Sequence, residues 1–151
     1  MTIFLVEDDY LQADWICQKL REGIPDADVR LIPTEADFRS HLDQIASQQP
    51  DVVVMDVMLR WADPRPELEF PPRDVQEEGF YRAGLRCQTM LAEDSRTSQV
   101  PVILYTVLER TDLFRELPNL PQYVQYLAKQ SDVSSLIEKI KELTRGQRQD
   151  T

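Results

Sequence analysis

Apolar runs in this chain are short, and they end on chemically useful residues. Ile3-Phe4-Leu5-Val6 stops at Glu7 and Asp8. Val52-Val53-Val54-Met55 stops at Asp56, and Val102-Ile103-Leu104-Tyr105 stops at Thr106. Tyr126-Leu127-Ala128 leads into Lys129. Each run is rich in β-branched or aromatic residues and reads as a buried strand. Val29–Ile32 is a further short strand. Between the runs the apolar spacing turns helical. Ala13, Ile16, Cys17, Leu20 and Ile24 predict a helix over Tyr10–Glu22, capped by Asp9 and ended by Gly23 and Pro25. Thr34 caps a second helix carrying Phe38, Leu42, Ile45 and Ala46 on one face.

A third helix is expected over Gly79–Ala92, with Phe80, Ala83, Cys87 and Leu91 inward, and a fourth over Glu109–Leu117, stopped by Pro118. Tyr123–Leu127 is the last strand. The last helix, capped by Ser131 or Asp132, carries the clearest stripe: Val133, Leu136, Ile137, Ile140 and Leu143. Five strands alternating with five helices predict an α/β fold, a parallel sheet covered on both faces and right-handed crossovers.

Residues 58–78 break this pattern. Four prolines, Pro64, Pro66, Pro71 and Pro72, lie among many charges, and the segment is far longer than an ordinary βα connection. It holds too few apolar residues for a core element, with Trp61, Leu68 and Phe70 available to pin it to the surface. The domain is expected over residues 1–144, with this stretch as an insertion and 145–151 as a polar tail or the start of a linker.

Composition narrows the functional classes. A chain of 151 residues forms one domain with a good core. Its net charge of −10 argues against direct nucleic-acid binding, which needs cations against phosphates. No run is long enough to span a membrane and no signal peptide precedes the first strand, so a cytoplasmic location is expected. Cys17 and Cys87 lie far apart on helix-like faces and read as buried thiols. His41, the lone histidine, has no expected catalytic role.

The strand ends carry the chemistry. In a parallel α/β sheet the carboxyl ends share one edge, where ligands bind. Glu7, Asp8, Asp56, Thr106 and Lys129 should therefore meet, and three clustered carboxylates need a counter-charge. Oxygen donors of this kind suit a small hard cation such as Mg²⁺, with a backbone carbonyl just after Asp56 as a further ligand. Asp56 can act as a nucleophile toward phosphorus, with Thr106 and Lys129 binding the phosphoryl oxygens.

In those motifs the chain resembles the response-regulator receiver domain of two-component signalling, over nearly its whole length. The matching pieces are Ile3-Phe4-Leu5-Val6-Glu7-Asp8-Asp9, Val53-Val54-Met55-Asp56, Ile103-Leu104-Tyr105-Thr106 and Tyr126-Leu127-Ala128-Lys129. The resemblance implies a flavodoxin-like five-stranded sheet of order 2-1-3-4-5. It implies Asp56 as phosphoacceptor and Mg²⁺ or Mn²⁺ held by Glu7, Asp8, Asp56 and the Met58 carbonyl. Thr106 and Lys129 would bind the phosphoryl group, and Tyr126 matches the switch aromatic. The implied partners are a histidine kinase or phosphotransfer protein, and a downstream protein on the helix-four, strand-five, helix-five face; a homodimer is compatible with this.

Three departures stand out: Gln130 follows the lysine in place of the usual Pro, Val107 follows Thr106 where a small residue is common, and the insertion displaces the usual Asp-Gly pair to Glu78-Gly79. Two alternatives accompany the phosphorylation-switched reading. One is a pseudo-receiver, a phosphorylation-independent protein-binding module. The other is a Mg²⁺-dependent phosphohydrolase, disfavoured by Met58 where such enzymes carry a second Asp.

Overall fold

The computed structural model of the chain describes residues 1–64, 70–130 and 132–149. Leu68 and Ser131, both given roles by the sequence pattern, lie outside the described residues. The element order is β1 (Thr2–Val6), α1 (Tyr10–Gly23), β2 (Asp28–Ile32), α2 (Glu35–Ser40), α3 (Leu42–Gln48), β3 (Val52–Met55), α4 (Arg73–Glu78), α5 (Ala83–Glu93), β4 (Val102–Thr106), β5 (Val124–Ala128) and α6 (Ser134–Gln149). All strand pairs are parallel and the sheet order is β2-β1-β3-β4-β5, the flavodoxin-like order expected.

Successive side chains of a strand point to opposite faces, and this alternation divides the core in two. Phe4, Val6, Val53, Met55, Val102 and Leu104 pack with Phe38 and Ile45 of α2 and α3 and with Ala83, Cys87 and Leu91 of α5. Ile3, Leu5, Val52, Val54, Ile103 and Tyr105 pack with Ile16 and Leu20 of α1 and with Leu136 and Ile140 of α6. The caps behave as their chemistry requires. Asp9 accepts the Leu11 and Gln12 amides, Thr34 accepts the Asp37 amide, and Asp132 accepts the Ser134 amide.

Four expectations are corrected. The second helix is broken at His41 into α2 and α3, where the ring Nδ1 lies 2.6 Å from the Asp37 carbonyl. The expected fourth helix is absent: two 3₁₀ turns, Arg110–Leu113 and Leu117–Asn119, join β4 to β5. A reciprocal Glu109–Asp112 capping box closes the first as a 3₁₀ turn, and Pro118, which has no amide hydrogen to donate, stands inside the second. The third helix starts at Ala83, so Phe80 sits in a 3₁₀ turn, half exposed and stacked on Tyr81. Finally, α6 runs on to Gln149, over residues that the sequence pattern leaves outside the last helix.

The described part of residues 58–78 is more structured than its composition suggests. Leu59 is fully buried, Val75 of α4 is buried, and Phe70 is 92% exposed and pins nothing. Trp61 is half-buried, under the Arg39 guanidinium at 5.4 Å. The carbonyls of Arg60 and Trp61 accept the Glu35 and Ala36 amides, satisfying two orphan donors at the start of α2. A buried ion network completes the anchorage. Glu35, fully buried, accepts two bonds from Arg86 at 2.6 and 2.9 Å and two from Arg39, whose Nη2 also bonds Asp74 of α4 at 2.8 Å.

Candidate functional site

The carboxyl ends of β1, β3, β4 and β5 bring four of the expected residues to one edge. The ladder sets their positions: Glu7 donates its amide to the Ile32 carbonyl, Asp56 to Val6, and Lys129 to Thr106 at 2.8 Å. Lys129 Nζ then lies 2.6 Å from Glu7 Oε2 and 2.7 Å from Asp56 Oδ2, bonded to both. Its side chain, that of Glu7 and that of Asp56 are all below a tenth exposed. Gln130 therefore does not displace the lysine. Asp56 Oδ1 accepts the Met58 amide at 3.2 Å, which turns the chain sharply just after the carboxylate.

One ammonium serves two carboxylates, and the charge balance shows it. Burial pushes Glu7 up to about 7, against the pull of Lys129 and with added repulsion from Asp56. Burial alone would lower Lys129; Asp56 and Glu7 overcome it and hold the ammonium above its ordinary range. The lysine is thus secured as a cation, and burial draws Glu7 toward its protonated form.

Asp8 stands apart from this triad. Its Oδ2 accepts the Arg60 amide at 2.8 Å and faces the Arg60 Nε at 3.4 Å. Among the described residues no three acidic, histidine or cysteine side chains are gathered in a metal-ligating arrangement. The donors themselves fit a hard divalent ion: every one is an oxygen, at the ligand-binding edge of the sheet.

Thr106 is buried, and its Oγ1 accepts the Leu108 amide at 3.3 Å. Tyr126, half-buried, donates its hydroxyl to the Leu108 carbonyl at 2.7 Å, with Arg110 over its ring at 4.8 Å. Val107 is 59% exposed beside them. It borders a depression of about 340 Å³ also lined by Gln12, Trp15, Tyr105 and Lys129. A larger cleft, of about 780 Å³, lies away from the carboxylates, between α5 and the 3₁₀ segment; Arg82, Met90, Glu116 and Leu120 line it.

The local sequence pattern misses two contributors. Gly84 packs its backbone on the phosphoacceptor candidate: a Cβ there would sit 2.1 Å from the Asp56 carbonyl oxygen, and its amide donates to Val57 at 2.8 Å. The close-approach glycine is therefore Gly84, whereas Gly79 ends α4 at φ 78° with open space around it. Arg60 is the second; a cation between apolar Leu59 and Trp61 was the available signal.

No family model and no curated protein matches the chain. Solved structures do, as folds. A signal receiver domain of a signal transduction histidine kinase from Syntrophus aciditrophicus is 21% identical, with 96% of this chain and 90% of that one covered and a TM-score of 0.66. The receiver domain of a sensor histidine kinase from Pseudomonas aeruginosa, described with a magnesium ion coordinated in its active site cleft, is 20% identical over 95% and 97%, TM-score 0.66. A signal receiver domain of a DNA-binding response regulator from Colwellia psychrerythraea is 20% identical over 96% and 98%, TM-score 0.67. The chain has the receiver-domain fold. Among the described residues no helix is long and apolar enough to cross a membrane.

Proposed function

We propose that the chain is a phosphorylation-switched receiver that takes a phosphoryl group on Asp56 from a phosphohistidine of a histidine kinase or phosphotransfer protein in the cytoplasm. The observation that carries this reading is the bridge from Lys129 Nζ to both Asp56 and Glu7 at the ligand edge of a receiver fold. An Asp56 oxygen attacks phosphorus, the P–N bond to the donor imidazole breaks, and the electron pair leaves with that nitrogen. Lys129 follows the charge from the carboxylate to the phosphoryl oxygens, and the Thr106 hydroxyl can donate to one of them. Glu7, Asp8, Asp56 and the Met58 carbonyl would hold Mg²⁺ or Mn²⁺. When bound, the metal offsets their charge and polarises the phosphoryl group.

The switch runs through Leu108. A Thr106 hydroxyl drawn toward a phosphoryl oxygen shifts its hold on the Leu108 amide, and Tyr126 grips the carbonyl of the same residue. The response would reach the surface formed by the 3₁₀ segment, β5 and α6, where a downstream protein or a second copy of the chain could dock. The insertion, anchored beside Asp56, would select the kinase.

The pairing of Asp8 with Arg60 favours the second reading, a pseudo-receiver that binds partners without phosphorylation. Incubation with Mg²⁺ and a small phosphodonor separates the cases. A covalent adduct supports the switch, no adduct supports the pseudo-receiver, and continuous phosphate release supports a hydrolase.

A further inference from the structure

Arg60 holds a place that the metal reading leaves to a cation. Asp8 is the one carboxylate of the three that Lys129 does not bond. It receives instead the Arg60 amide and faces the Arg60 guanidinium. That guanidinium has a second acidic neighbour, Asp63, at 3.7 Å, and Asp63 accepts the hydroxyl of Tyr10, the first residue of α1, at 2.8 Å. On the other side the Arg60 and Trp61 carbonyls cap α2, and the Trp61 ring lies under Arg39. The segment from Arg60 to Asp63 is thus fastened to α1 and α2, and it carries a tethered positive charge to Asp8.

We infer that Arg60 is a built-in competitor of the divalent metal, an affinity-setting residue that neutralises Asp8 in the metal-free state and must be displaced when Mg²⁺ or Mn²⁺ binds. This rests on the metal site proposed above. Two cations cannot share the Asp8 carboxylate without repulsion, so metal binding bears the loss of the Arg60–Asp8 pair. Reciprocally, bound metal loosens the start of the insertion, because linkage between two cations at one site is mutual. The pair is partly exposed, with side-chain exposures of 45% for Arg60 and 22% for Asp8, so the effect is modest. An exposed ion pair of this kind corresponds to about a two- to fivefold change in affinity.

The test uses Mn²⁺ as the probe, with free ion counted by electron paramagnetic resonance at about 0.1 M salt, where charges beyond about 10 Å are largely screened. Four single variants of the full chain are compared with the wild type. Arg60→Ala keeps the backbone amide on Asp8, and Arg60→Gln keeps a polar side chain of similar reach without the charge. Lys19→Ala removes an equal charge about 13 Å along α1 from Tyr10, at 1.5 Å per residue. Asp8→Asn removes the carboxylate itself.

Both Arg60 variants are expected to bind Mn²⁺ about two- to fivefold more tightly, Lys19→Ala to match the wild type, and Asp8→Asn to lose most binding. Unchanged or weaker binding in both Arg60 variants, with Asp8→Asn still defective, overturns the competitor role alone. Equal tightening in Lys19→Ala also overturns it, because net charge then suffices. Binding that Asp8→Asn leaves intact, or no binding by any variant, overturns the metal site and the competitor together.

Discussion

Thr106 and Tyr126 hold opposite ends of one residue: Thr106 Oγ1 accepts the Leu108 amide and the Tyr126 hydroxyl donates to the Leu108 carbonyl. The end of β4 and the middle of β5 are thereby coupled through a single peptide segment. Tyr126→Phe removes the second hold and keeps the ring under Arg110. The expected cost is about 1 kcal/mol of stability by urea unfolding. Phosphodonor treatment should still modify Asp56, while protection of the Leu108 region in amide hydrogen exchange should no longer respond to it. A response equal to that of the wild type would show that Tyr126 plays no part in the switch.

Glu7 gives the protein a pH dependence whose sign follows from its burial. Burial raises its folded value from 4.5 to about 7, so its contribution to stability is complete below about 4.5 and is lost as pH rises through about 7. Lys129 is raised above 10.5 and so contributes no slope in that window. In chelator, the stability of the wild type relative to Glu7→Gln should fall by on the order of 1–3 kcal/mol between pH 4.5 and 8. Parallel profiles from urea unfolding would show that Lys129 keeps Glu7 ionised throughout.

The Glu35–Arg86 pair should matter more to stability than any surface ion pair. Both side chains are buried, and the bonds are paired and short. Glu35→Ala leaves Arg86 and Arg39 without their shared carboxylate. A loss of about 3–5 kcal/mol is expected, because a buried charge is left uncompensated. Since Arg39 also holds Asp74, limited proteolysis should cut the segment around α4 faster in this variant. Unchanged proteolysis there would mean that the network does not fasten the insertion.

The sheet and its ligand edge were legible because buried parallel strands are short apolar runs, and a polar residue at the end of one has few purposes. Glu7, Asp56, Thr106 and Lys129 declare themselves in this way. What stayed hidden depends on partners distant in sequence. Glu35 follows a cap and looks like an ordinary first-turn acid, yet it meets Arg86, 51 residues away. Arg60 meets Asp8 across 52 residues. Four prolines among many charges read as a surface loop, and Leu59 and Val75 show no period there that marks them for burial. The stretch before Pro118 has helical spacing, but spacing does not reveal the Glu109–Asp112 capping box or the second 3₁₀ turn that forms around Pro118.

The most direct measurement is the intact mass of the wild type and Asp56→Asn after treatment with Mg²⁺ and a small-molecule phosphodonor. The geometry around Lys129 predicts one phosphate adduct on the wild type and none on the variant. An adduct that persists in Asp56→Asn, or a wild type that stays unmodified under the same conditions, would contradict Asp56 as the phosphoacceptor.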